Sequence, residues 1–246
     1  MDIRYTFACL IGAATALAGP AAQAGDVATL NILGFSADAT TFAFEEYGVQ
    51  DGSGFPYANR FYIDTTTDNY MAGSPIRVRI DDETASVNEA RAQAKTAGEA
   101  IIADSELEAH KGFTAGYNAI TEISADPFRM VVNPRPVVPM IGQELDIRLE
   151  EIAFPAREPC IGMSETSRGF RLTSVAPEPG GAITVLHADS SVPASRGCTS
   201  GYRIGGVQSL APFDGPSAYA VLIAVETFGF EGPDYRWMAV TRLSGQ

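Results

Sequence analysis

Apolar and polar positions alternate with a period of two along much of this chain. Pro75–Asp81 (PIRVRID) sets Ile76, Val78 and Ile80 on one face against Arg77 and Arg79 on the other. Glu144–Glu150 (ELDIRLE) repeats the pattern with Leu145, Ile147 and Leu149 inward. Such alternation marks strands with one buried and one wet face, as in antiparallel sheets. The same reading predicts strands at Ala28–Leu33, Thr41–Tyr47, Arg60–Asp64, Phe128–Asn133, Phe170–Val175, Ile183–His187, Tyr202–Val207, Ala218–Glu226 and Arg236–Thr241. Gly, Pro, Asp and Ser between the runs supply turns.

One segment departs from that period. Ser86-Val-Asn-Glu89 is a capping box, a side-chain acceptor followed three residues later by glutamate. Val87, Ala90, Ala94, Ala97 and Ile101 then recur at helical spacing, predicting a helix to about Ala103. Ser105–Lys111 adds a further turn closed by Gly112. Gly98 enters as a weak point, about 1 kcal/mol poorer than alanine. The alanine stripe suits packing against a sheet; a membrane-surface helix would want cations opposite bulky apolar residues.

Asn133–Pro139 (NPRPVVP) holds three prolines and reads as an extended connector, although Pro136-x-x-Pro139 is also a minimal polyproline pattern. Phe42–Gly54 (FAFEEYGVQDGSG) is echoed by Ile223–Pro233 (IAVETFGFEGP), each leading to an aromatic strand, which predicts two hairpins of one design.

The first 24 residues follow neither period. After Arg4, TFACLIGAATALAG leads into PAAQA ending at Ala24, a cationic start, a short apolar stretch and a small-residue exit. That is the form of a cleavable secretory signal. Cleavage near Ala24 leaves 222 of the 246 residues. The longest later apolar run, Ala218–Val225, is strand-sized, so the expectation is a soluble exported protein of the periplasm or exterior with no integral membrane segment. Cys9 leaves with the leader, and the remaining pair, Cys160 and Cys198, is expected to form a disulfide, with two free thiols as the alternative.

The net charge of −13 opposes nucleic-acid phosphates and anionic lipid, so nucleic acid is excluded as a partner. The cations do not cluster: Arg77, Arg79, Arg148 and Arg171 alternate with apolar residues as a solvent face would.

Four stretches carry a resemblance: Gly34–Asp64 (GFSADATTFAFEEYGVQDGSGFPYANRFYID), the helix after it, SRGC around Cys198, and Gly229–Trp237 (GFEGPDYRW). They resemble a bacterial family of predicted secreted proteins catalogued as DUF2259, a domain of unknown function. The resemblance implies export and supplies no catalytic residues. Within the first stretch, Phe35-Ser36-x-Asp38, Phe42-Ala43-Phe44 and Phe61-Tyr62-Ile63-Asp64 look like one unit of a TolB-type propeller repeat, with Ala39 where the repeat has glycine.

Known catalytic patterns are scarce. His110 and His187 are the only histidines, too few for a three-histidine zinc site, and HExxH is absent. There is no G-x-S-x-G elbow, although His187 and Asp189 with Ser190 or Ser195 have the residue types of a triad. Glu45/Glu46, Asp81/Asp82/Glu83 and Glu150/Glu151 have the residue types for glycosidase chemistry, but neighbours on a strand point to opposite faces. Calcium is the cofactor that Asp51-Gly-Ser-Gly54 would suit, with Glu45 and Asp51 as weak candidate ligands; a solvated hairpin turn explains the same residues. Tyr57, Tyr62, Phe230, Tyr235 and Trp237 flank the echoed hairpins and are the candidate ligand or partner surface, core packing being the alternative.

The expected fold is mainly β, an antiparallel two-sheet or sandwich-like protein with one prominent helix, and a small or incomplete propeller as the alternative. Residues 25–246 form a single β-rich domain, or two subdomains meeting near 133–142. The negative chemistry favours a non-enzymatic binding or interaction protein of the cell envelope, its partner or ligand unnamed by the sequence. The alternatives are a hydrolase acting on an envelope polymer through a carboxylate pair, and a structural envelope component.

Overall fold

A computed structural model describes residues 25–230 and 232–244; residues 1–24, where a signal is expected, lie outside them. Every strand expected from the period-two pattern is present, in three antiparallel sheets. The first sheet contains β1 (Thr29–Phe35), β2 (Thr41–Val49) and β3 (Pro56–Asp64), with the short β4 (Asn69–Tyr70) and β5 (Ile76–Arg79) both paired to β3. Two helices follow, α1 (Val87–Gly98) and α2 (Asp104–Ala109). The second sheet is a meander of β7 (Arg129–Val132), β8 (Leu145–Pro155), β9 (Thr166–Val175) and β10 (Ile183–Ala188). The third orders β13 (Pro233–Ser244), β12 (Ser217–Phe228), β11 (Thr199–Leu210) and β6 (Phe113–Tyr117).

The third sheet lies between the other two. Along β12, Ala218, Ala220, Leu222 and Ala224 pack with Phe35, Phe42, Phe44 and Phe61 of the first sheet. Val221, Ile223 and Val225 pack with Ile147, Leu149, Phe170 and Leu172 of the second. Burial on both faces is why Ala218–Val225 is continuously apolar rather than alternating. The size pattern follows from packing: the first sheet brings stacked phenylalanines, Phe44 and Phe61 at 4.6 Å, so β12 answers with alanines. The sandwich-like expectation therefore holds, with a third layer added.

On the outer face of the first sheet, α1 buries Ala90, Ala94 and Gly98. Its capping box is formed: Ser86 Oγ accepts from the Glu89 N–H, and the Glu89 carboxylate accepts from the Ser86 N–H at 2.7 Å. The helix ends at Gly98, earlier than its periodicity suggests, because Ile101 and Ile102 turn back to the Gly98 carbonyl and pack beside Tyr62 and Leu107. Gly98 is no weak point. A Cβ there would stand 2.0 Å from the Tyr62 hydroxyl, so the helix approaches β3 this closely only without a side chain.

Both echoed segments are hairpins, β2–β3 and β12–β13. Ala39 has φ of 60°, a left-handed conformation that suits the glycine of the propeller-type unit it resembles. The disulfide joins Cys160 to Cys198 and ties the loop after β8 to the start of β11. β6, from before the proline segment, completes the sheet that β11–β13 build after it.

Candidate functional site

β13 is the free edge of the middle sheet, and the two outer sheets overhang it. A cleft of about 1030 Å³ results, floored by Arg236–Ala239. One wall is the first sheet, with Glu46, Asn59, Phe61, Tyr70 and Arg77. The other comes from β10 and the loop before β11, with His187, Arg196 and Cys198.

In an antiparallel pair the amides of alternate residues face away from the partner strand. The outward amides of β13 belong to its odd-numbered residues. The Tyr235 N–H donates to the Asp26 carbonyl and the Leu243 N–H to the Thr65 carbonyl. The Trp237 N–H donates to Glu46 Oε2 at 2.7 Å, and the Thr241 N–H to Asp68 Oδ1 at 2.7 Å. Ala239 lies between them, and its outward N–H has no acceptor among the described residues.

The first-sheet wall is set by register. Glu46, Asn59 and Arg77 lie side by side across β2, β3 and β5, and Asn59 Nδ2 donates to Glu46 Oε1 at 2.9 Å. Next along the wall comes Phe61. The Arg77 guanidinium sits 5.6 Å from the centre of that ring, and the Tyr70 ring centre is 6.1 Å from it on a tilted plane. Tyr70 itself is half-exposed. On the facing wall, Asp189 accepts from His187 Nε2 at 3.0 Å, from Arg196 at 2.6 Å and from the Phe170 N–H at 2.9 Å. Arg196 lies over Phe170 and Tyr202. At the cleft's end, Arg236 pairs with Asp26 at 2.5 Å and stacks on Tyr57.

Electrostatics separates these groups. Burial pushes the Glu46 carboxyl above its ordinary value, only partly opposed by the Trp237 N–H, Asn59, Arg236 and Arg77. Asp68 rises for the same reason, against Thr241, Arg242 and His187. Asp189 is buried too, but its bonds from His187, Arg196 and Phe170 outweigh burial and hold it at about 2. Burial raises the Tyr70 phenol, while Arg77 and Arg196 pull it down and Glu46 and Asp68 push it up. That phenol thus lies within electrostatic reach of both walls.

Of the five aromatics expected as a surface, Tyr57 and Trp237 line the cleft and Tyr62, Phe230 and Tyr235 do not. Tyr57 and Trp237 are buried in the first core, Trp237 Nε1 donating to the Ala28 carbonyl at 2.8 Å. Tyr62 is fully buried on the opposite, helical face of the first sheet. Tyr235 is half-buried and donates to Glu226, and Phe230 stands exposed in the β12–β13 turn.

Glu45 and Glu46 point to opposite faces, as strand geometry requires. Glu45 accepts from Asn31, Arg60 and Arg91 on the helical side, and Asp51 sits in the β2–β3 turn. Glu150 and Glu151 diverge likewise, one to Arg171 and the other to the Tyr202 N–H. Among the described residues no group of three or more His, Cys, Asp or Glu is placed to hold a metal ion. No described serine hydroxyl bonds to His187.

The family model for predicted secreted proteins, DUF2259, matches residues 43–242. The chain belongs to this family. No match was found among curated proteins or among solved structures. The matched span holds every cleft residue named above except Asp26. Sequence reasoning missed Asp68, Tyr70, Arg77, Arg196 and Ala239 as site residues. The His187-x-Asp189 spacing and the candidate aromatics Tyr57 and Trp237 were the signals that pointed toward this cleft.

Proposed function

We propose that this family member is a non-enzymatic binding protein of the bacterial cell envelope, exported after cleavage near Ala24, whose ligand sits in the cleft over β13. The observation that carries this reading is an open cleft in which the Arg77 guanidinium, the Tyr70 hydroxyl and the Ala239 N–H have no hydrogen-bond partner among the described residues. Pockets of several hundred Å³ with a few convergent polar groups are the usual form of small-molecule sites.

The carboxylate-pair hydrolase is the weaker reading. Glu46 and Asp68 both line the cleft with raised values, as a catalytic pair would. Each, however, is committed to a β13 amide, and those amides are four residues apart, ~13 Å at about 3.3 Å per residue. Glycosidase carboxylates stand about 5–9.5 Å apart.

The test is native mass spectrometry of the purified protein incubated with the small-molecule fraction of an envelope extract. The expected result is a discrete mass increment, released chemically unchanged, and reduced in Arg77→Gln and, less strongly, in Tyr70→Phe. Release of a cleaved product would turn the reading to hydrolysis. No increment, or one indifferent to both substitutions, would remove the cleft from consideration.

A further inference from the structure

We propose that the ligand of this cleft carries an oxyanion, a carboxylate or a phosphate, seated over Phe61 between Arg77, the Tyr70 hydroxyl and the Ala239 N–H. The proposal rests on the cleft being a binding site and adds the chemistry of what binds.

Four arginines line the cleft, and three have acid partners: Arg79 with Asp81, Arg196 with Asp189, Arg236 with Asp26. Arg77 alone among these has no carboxylate within ion-pair distance. It is not a loosely solvated surface cation, because Phe61 holds its guanidinium over the ring and aims it along the cleft wall. Tyr70 flanks the same ring, and its hydroxyl has no hydrogen-bond partner among the described residues. Ala239 presents its outward N–H from the floor. All three can donate; the outward carbonyls of Trp237 and Ala239 also lack a donor among the described residues, so it is the unpaired charge of Arg77 that selects an anion.

The cleft's own carboxylates do not fill this need. Glu46 and Asp68 are turned into β13, each accepting a backbone N–H, and burial raises both above the ordinary carboxylate value. A ligand bringing acceptor oxygens therefore meets donors without meeting a free protein anion in front of them. A guanidinium fork binds carboxylate and phosphate alike, in charge-assisted pairs about twice as strong as neutral hydrogen bonds. The unpaired guanidinium over Phe61 thus specifies the oxyanion.

The probes are citrate and inorganic phosphate, titrated separately into the purified protein at constant ionic strength, with binding read by chemical-shift changes and by protection against thermal unfolding. The expected result is saturable binding of one probe, which also identifies the source of the oxyanion. Affinity should fall about tenfold or more in Arg77→Gln and several-fold in Tyr70→Phe, with Arg77→Lys intermediate. Both positions are exposed, so unchanged circular dichroism keeps the comparison interpretable. Binding of neither probe, or binding equal in wild type and Arg77→Gln, overturns the oxyanion. If neither probe binds while the native-spectrometry increment proves to be a neutral molecule reduced in the same variants, the cleft reading stands and the oxyanion alone falls.

Discussion

Replacing Gly98 by alanine should destabilise this protein, although helix propensity says the reverse. In an exposed helix the change would stabilise by about 1 kcal/mol. Here the new Cβ would stand 2.0 Å from Tyr62 Oη, 3.0 Å from Tyr62 Cζ and 3.4 Å from Arg60 Cδ. Tyr62 cannot yield, being fully buried beneath α1 and α2. Arg60 cannot yield either, held by two bonds to Asp104 at 2.6 and 3.1 Å. Overpacking of this kind costs about 1–3 kcal/mol, so the net loss should approach 2 kcal/mol. Urea unfolding followed by the single tryptophan, Trp237, which is buried in the core, reports the change. Tyr62→Phe is the control, since it removes the nearest atom and sacrifices only a 3.4 Å bond from Arg60. In that background Gly98→Ala should cost less than ~0.5 kcal/mol, a coupling of at least ~1 kcal/mol between contacting sites. A stabilised single variant, or additive losses in the double variant, would refute the close-approach argument.

Opening the disulfide should cost up to about 4 kcal/mol by the chain-entropy relation for the 38-residue separation of Cys160 and Cys198, read as a lower melting temperature with reductant; equal melting curves would contradict it. Stability should rise as pH falls from 8 toward 5. Burial raises the folded-state values of Asp26, Glu46 and Asp68, so their ionisation penalises the fold at neutral pH, and the penalty vanishes below their unfolded values near ~4. Bonds from Arg129 and Arg148 hold Asp146 at about 2, and Asp189 lies there too, so their contribution is full above ~4 and lost as pH falls through about 2. Thermal melts from pH 3 to 8 should therefore peak in the mildly acidic range, and Glu46→Gln should flatten the neutral limb. Phe230→Ser should change stability by no more than ~0.5 kcal/mol, since that ring is 87% exposed. EDTA should leave the melting temperature unchanged, because Glu45 is already held by two guanidiniums; a drop would return calcium to the β2–β3 turn.

The alternating strands were legible because Arg148 and Glu150 face solvent from the second sheet, while on β5 Arg77 and Arg79 face the cleft and Ile76 and Val78 pack toward the helices. β12 was legible for the opposite reason, a continuous apolar run with no wet face. β4 and β6 were not, one being two residues long and the other a five-residue run, FTAGY, with small Ala115 and Gly116 and no period-two alternation. Gly98 shows the limit of local reasoning, since propensity sees a flexible residue where tertiary packing needs an absent side chain. The aromatics show another: Tyr57, Tyr62 and Trp237 are all buried, but on two faces of one sheet, and no periodicity separates an interior ring from a ligand-facing one. The cleft was invisible because it joins residues from 46 to 239 through pairings of three sheets. Arg77 was read as a solvent-face cation and is exposed; what aims it is its register beside Asn59 and its stacking on Phe61.

The cleft and the protection of the middle sheet's edge have one physical origin. A free strand edge presents a row of amides and carbonyls that templates pairing with another chain. Here all but one of its outward amides are closed by groups of the first sheet and the chain beside it, the Asp26 and Thr65 carbonyls at the ends and the Glu46 and Asp68 carboxylates between them. Each cap requires an outer sheet to reach past β13, and that overhang encloses the cleft. Strand addition by a peptide needs several consecutive unpaired amides and carbonyls, whereas among the outward amides of β13 only that of Ala239 is open. The arrangement therefore disfavours an extended peptide and favours a compact ligand that takes a single backbone donor together with side chains from the wall above it. The Glu46→Gln variant separates the two ideas: an amide still accepts from the Trp237 N–H, so the edge should stay closed and peptide binding absent while the cleft remains open to small anions.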